Sequence, residues 1–323
     1  MLMTDQRSPT ILRNLLRPYL SSPEQDPHRE ESVITMRSAP ASDASAWRNT
    51  LRRYDALVFF LMTLALTWIV WIPRAMGFPV GVAGRLWTWI PAITALVCAA
   101  LLYGGAGVRD LGRRLVRWRV RWWWYPVVLV GPLVFSLIAA GIAMLLGQPW
   151  SAVRPVALTL SVPALALTFL ILMFTDGLGE ELGWRGYLLP RLLSRRYRAV
   201  PASLILGLGW WLWHLPLIWT AGAAIEDQPL WLLLADLLAK SLIFTYVFLG
   251  TQGSVLFAIM LHASTNLFVV SPAVGPDGDL TLPLVALLLK VVLAAALFVH
   301  LPRSLSEARN SASVIFSDSG APR

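Results

Sequence analysis

Charge is what this sequence has least of: 14% of its 323 residues are Asp, Glu, Lys or Arg, while 57% are hydrophobic. A water-soluble domain carries about 25% charged residues, so that class is excluded first. A mainly disordered chain is excluded as well, because disorder needs low hydrophobicity. Cysteine is nearly absent. The single Cys98 sits in an apolar run, which rules out a disulfide framework or a cysteine metal cluster within the chain. Lysine is almost missing too, at 2 residues against 25 arginines. With much Ala and Leu, that bias suggests a bacterial chain from a genome of high GC content. Histidine occurs four times, at His28, His214, His262 and His300, and no His-Glu-x-x-His helix is present.

What is there instead is apolar length. Mean hydropathy is +0.63, and a helix needs about 20 apolar residues to cross a bilayer. Apolar runs fall at about 56–73, 86–103, 125–147, 157–180, 200–220, 230–250, 254–270 and 281–301. The chain is therefore expected to be all-α and polytopic, with about eight transmembrane helices around an intramembrane cavity. Residues 1–55 hold no spanning run and read as a mostly disordered cytoplasmic tail rather than a secretory signal. Residues 56–301 form the membrane domain, and 302–323 a polar cytoplasmic tail.

Cations alternate between the connecting segments. Arg109, Arg113, Arg114, Arg117, Arg119 and Arg121 lie between 104 and 124, and Arg191, Arg195, Arg196 and Arg198 follow the fourth run. Glu226 and Asp227, and then Asp277 and Asp279, occupy connections without a cation. The positive-inside rule puts both termini in the cytoplasm of a multi-pass cell-membrane protein. The net charge of +9 thus reads as a topology signal and not as nucleic-acid binding. Between Leu111 and Tyr125 arginines alternate with Trp118, Trp122, Trp123 and Trp124, a pattern suited to anionic lipid headgroups at an interface.

A charged side chain at the centre of a span costs roughly 2.5–3.5 kcal/mol on insertion scales. Asp176, Glu180, Glu181, Arg185, His214, Asp236, Lys240, His262, Lys290 and His300 therefore each ask for a reason. Asp236 and Lys240 are spaced to pair on one helix face. Lys290 has no evident partner. Glu181 precedes Arg185 by four, the favourable order for an ion pair. Adjacent helical residues point about 100° apart, so Glu180 must find its partner on another helix. Gly179 and Gly183 would let a neighbouring helix approach closely. Trp210 with His214, and His262 with Asn266, are each spaced by four and project to one side of their helices. Counted at about 1.5 Å per residue, Glu180 and His262 reach one depth, with His214 a few Å deeper.

Glu180-Glu181-x-x-x-Arg185, then Trp210-x-x-x-His214, then His262-x-x-x-Asn266 resembles the CPBP intramembrane proteases. This is the CAAX prenyl protease and bacteriocin-processing group, also called the ABI family. The resemblance covers about residues 160–270, with Trp210 where that family commonly has Phe, an exchange that keeps an aromatic wall. It implies an endopeptidase in which Glu180 and His214 activate water and His262 and Asn266 stabilise the oxyanion, with Glu181, Arg185 and Trp210 in support. Members are often called metalloproteases, and two His with a Glu could hold zinc around an open water position. Asn is an uncommon zinc ligand, however, and suits hydrogen-bond donation better, so the cofactor stays unassigned. The expected partners are a membrane-proximal or lipid-modified peptide, or a membrane-protein substrate, and the anionic bilayer. Buried acids and histidines also serve proton-coupled transporters, and a non-catalytic immunity or scaffold protein could keep the same motifs. No internal repeat of the transporter kind is evident.

Overall fold

The computed structural model describes residues 43–80, 87–195, 197–223, 225–269 and 279–299. His28, Arg196, Asp277, His300 and the tail 302–323 lie outside the described residues. The chain divides into Met1–Trp47 and Arg48–Arg323. Of the first unit only residues 43–47 are described, and they are helical. All that follows concerns the second.

All regular structure among the described residues is helical. Helix α1 spans Asp43–Arg53, so the helical part begins earlier than the polar composition of the first 55 residues suggests. Next come α2 (Asp55–Ala75), α3 (Ile90–Leu115), α4 (Trp124–Leu129) and α5 (Gly131–Leu145). The bundle is completed by α6 (Val162–Ser194), α7 (Ala199–His214), α8 (Leu230–Gly250), α9 (Val255–Leu267) and α10 (Thr281–Val299). Seven of the eight apolar runs each fall on one helix, and the third is divided between two. Six helices are long and apolar enough to cross a membrane, and Gly131–Leu145 and Val255–Leu267 are shorter. Pro126 and Pro132, each without an N–H to donate, divide the third run between α4 and α5.

Large apolar side chains including Ile69, Leu145, Val162 and Val299 stand exposed on the helices, and the first part of α6, Val162–Leu172, buries none of its residues. Apolar surface on that scale is a lipid-facing surface. The chain is a multi-pass membrane protein. Its interior is aromatic: Trp184 packs edge-on against Phe59 and Trp213, while Trp71 leans on Trp213 at 4.6 Å between ring centres. Large flat rings fill the space between helices that have little hydrophobic drive to associate in lipid.

Two of the basic segments are not loops. Helix α3 continues to Leu115 beyond a break at Gly104, where φ is 61°, and carries Arg109, Arg113 and Arg114 with it. Asp110 pairs with Arg114 one turn later at 2.9 Å, which sustains the helix outside the apolar run. Helix α6 runs on through Arg191. That arginine is buried, with its Nε donating to Asp55 Oδ2 at 2.9 Å and its guanidinium 3.3 Å from the centre of the Tyr187 ring. Asp55 also accepts from Arg195 at 2.6 Å and from the Tyr103 hydroxyl. A carboxylate so supplied can be buried, and it ties α2, α3 and α6 together at one end.

Candidate functional site

The site is built on α6, whose turns are uneven. Met173–Gly177 and Leu182–Leu188 are π-helical, with an α-helical turn, Leu178–Glu181, between them. A π turn inserts an extra residue and rotates the faces beyond it, a device common at functional sites. Here it brackets both glutamates. A Cβ on Gly179 would stand 2.3 Å from the Thr88 carbonyl oxygen, and one on Gly183 2.6 Å from Pro91 Cβ. The two glycines therefore let α6 lie directly on the start of α3, the close approach expected from their spacing.

Glu180 and Glu181 are both buried and face different partners. Glu181 Oε1 accepts from Arg185 Nη1 at 2.9 Å and from His262 Nδ1 at 2.8 Å. The Arg185 guanidinium lies 4.6 Å from the centres of the Trp210 and Phe244 rings. Glu180 finds its partners on other helices. Trp210 Nε1 of α7 donates to its Oε2 at 2.7 Å, and His262 Nε2 of α9 lies 4.0 Å from its Oε1. The indole is thus a donor as well as an aromatic wall, a role that the comparison of Trp with Phe by ring alone misses.

His214 is the last residue of α7 because Pro216 has no N–H with which to continue the helical ladder. Its Nδ1 lies 2.9 Å from the Trp210 carbonyl. A carbonyl oxygen only accepts, so Nδ1 carries the proton and Nε2 of the neutral ring keeps a lone pair. His214 packs on Trp213 with ring centres 4.7 Å apart. Helix α9 starts at a Ser254 cap whose hydroxyl accepts from Phe257 N and projects His262 and Asn266 to one side. Asn266 Nδ2 donates to Asp176 Oδ2 at 3.1 Å. Asp176 has no assigned role in the sequence reading. The spacing of four from Glu180 is the signal that could have flagged it.

These residues meet in one cavity of about 490 Å³, lined by Asp176, Glu180, Trp210, His214, His262 and Asn266 among others. That lies within the roughly 300–1,000 Å³ of ordinary ligand sites. The pairing of Asp236 with Lys240, expected from spacing, is present at 2.8 Å. Lys290, without a partner in the sequence reading, donates to the same Asp236 from α10. Among the described residues no three His, Cys, Asp or Glu side chains gather to hold a metal ion. In His214 and His262 Nδ1 is engaged by an oxygen, which leaves Nε2 of each ring as the nitrogen for chemistry.

Residues 162–268 match the family model for type II CAAX prenyl endopeptidases, Rce1-like. That segment holds every candidate residue from Asp176 to Asn266. The CAAX prenyl protease 2 of Methanococcus maripaludis is 28% identical over 235 residues, which cover 67% of this chain and 84% of that protein. Through this segment the chain is similar to the Rce1-like type II CAAX prenyl endopeptidases.

Proposed function

We propose that the protein is an intramembrane endopeptidase that hydrolyses a membrane-proximal or lipid-modified peptide, with Glu180 as general base. The observation that carries this reading is the meeting of Glu180, His214, His262 and Asn266, from three helices, on one cavity. Glu180 takes a proton from a water molecule, His214 Nε2 orients that water with its lone pair, and the water oxygen attacks the scissile carbonyl carbon. His262 and Asn266 donate to the oxyanion that forms, an interaction worth roughly 2.7–4 kcal/mol per donor in acyl transfer. To donate from Nε2 while Nδ1–H is held by Glu181, the His262 ring must carry both protons. When the C–N bond breaks, the proton held by Glu180 passes to the leaving nitrogen. No step is routed through a metal.

Arg185 and Glu181 hold the site in register, since their ion pair fixes His262 through the same carboxylate. The alternating charge of the connecting segments supports a cytoplasmic location of both termini.

The test is cleavage of a peptide library by reconstituted full-length protein. Glu180→Gln, His214→Ala and His262→Ala are each expected to abolish cleavage while expression and melting temperature stay near wild type. Cleavage that survives Glu180→Gln would remove Glu180 as the base. Loss of activity on chelation, restored by zinc alone, would overturn the metal-free route.

A further inference from the structure

The chain has only two lysines, Lys240 and Lys290, and both contact one carboxylate. Lys240 Nζ lies 2.8 Å from Asp236 Oδ2 within α8, and Lys290 Nζ reaches Asp236 Oδ1 from α10. All three line the cavity that holds Glu180, His214 and His262, and their side chains are mostly buried, at 25%, 16% and 17% exposure for Lys240, Lys290 and Asp236. Two cations against one anion leave a surplus of one positive charge. One lysine would suffice to neutralise Asp236. A second, mostly buried cation is costly to desolvate, and an anion bound beside it offsets that cost.

The other charged groups on the cavity wall have their contacts with groups other than the lysines. Arg74 stacks on Trp87 at 4.3 Å, Asp176 accepts from Asn266, and Glu180 accepts from Trp210. The cavity is thus polarised, acidic where Glu180 and Asp176 lie and cationic where the lysines lie. We propose that Lys240 and Lys290 form a carboxylate-binding subsite, which takes either the free C-terminal carboxylate or an acidic side chain of the peptide presented to Glu180. The inference rests on the peptidase reading for the identity of the ligand, and Lys290 lies outside the segment 162–268 that matches the family model.

The test uses full-length E180Q protein in detergent and a dansyl-labelled apolar hexapeptide in three forms: free acid, C-terminal amide, and amide with Glu as its last residue. The free acid is expected to bind roughly tenfold more tightly than the amide, the weight of a charge-assisted contact. Recovery of that affinity by the Glu-ending amide shows that a side chain serves, and failure to recover confines the ligand to the chain end. Either result supports the subsite. K290M leaves Asp236 paired with Lys240 and is expected to reduce the acid-to-amide preference to roughly threefold or less, while K290R retains it. Equal binding of acid and amide, no binding of any form, or full preference in both K290M and K240M would overturn the proposal. Acid-selective binding by E180Q without cleavage of any form by wild type leaves the subsite and removes the peptidase. Cleavage of acid and amide with equal KM does the reverse.

Discussion

The indole of Trp210 combines two functions that only tryptophan, among the large aromatics, can supply at this place. Its ring covers the Arg185 guanidinium at 4.6 Å, and its N–H donates to Glu180 Oε2 at 2.7 Å. Phenylalanine would keep the first and lose the second. A hydrogen bond to a charged group contributes about 1.5–3 kcal/mol, and here it also fixes which carboxylate oxygen of Glu180 remains for chemistry. Trp210→Phe is therefore expected to lower kcat/KM roughly tenfold or more, with the melting temperature within a few degrees of wild type. Activity that is unchanged would mean that Glu180 is oriented by something else during turnover. Glu181 stands in contrast to its neighbour. It is wholly enclosed, and its Oε1 serves Arg185 and His262 together, contacts that suit a positioning part in the proposed mechanism.

At the scale of the helix, α6 works because it can touch the start of α3 without a side chain between them. Added methyl groups at a close-packed contact cost about 1–3 kcal/mol, and a Cβ at Gly179 would fall 2.3 Å from a backbone carbonyl that cannot swing aside. Gly179→Ala is expected to lower both the melting temperature and the cleavage rate, since the helix can relieve the clash only by moving Glu180. Gly112→Ala, on α3 with nothing within 4 Å of its Cβ, is the matched control and should hold or slightly raise stability, by up to about 1 kcal/mol. Equal melting of the two variants would show that the contact is slack. The helices themselves are legible in the sequence because apolar length is a local property, and the pairs Glu181–Arg185 and Asp236–Lys240 are legible because a spacing of four is local too. What is not legible is whatever joins distant positions. Trp210 reaches Glu180 across 30 residues and Lys290 reaches Asp236 across 54, and no periodicity encodes such a meeting. The π turns of α6 are equally silent, since no residue type marks them. Arg191 shows the converse error: a cation counted as a topology signal is in fact held inside by Asp55.

For the whole molecule, the question is which way the bundle sits, and the charges that face water argue it. Trp118 and Trp122 are exposed beside Arg119, whose guanidinium lies 5.1 Å over the Trp118 ring, and beside Arg121, which lies 4.0 Å over Trp123. Aromatic rings at the headgroup level with arginines reaching for phosphate suit the cytoplasmic leaflet, where anionic lipid attracts each cation by about 1 kcal/mol. The turn between α7 and α8 carries Glu226 and Asp227 and no cation, and is expected on the opposite side. The chain offers an unusually clean way to check this, since its one cysteine, Cys98, is buried and invisible to reagents in water. A cysteine placed at exposed Arg119 or exposed Ala221 therefore reports alone. A membrane-impermeant maleimide added to intact cells is expected to label Ala221→Cys and to spare Arg119→Cys until the membrane is opened. The reversed pattern would invert the bundle, and with it the side on which Gly222, Ala223 and Gln228 of the α7–α8 turn line the cavity, and labelling of both from one side would mean that the two segments are not separated by an odd number of crossings.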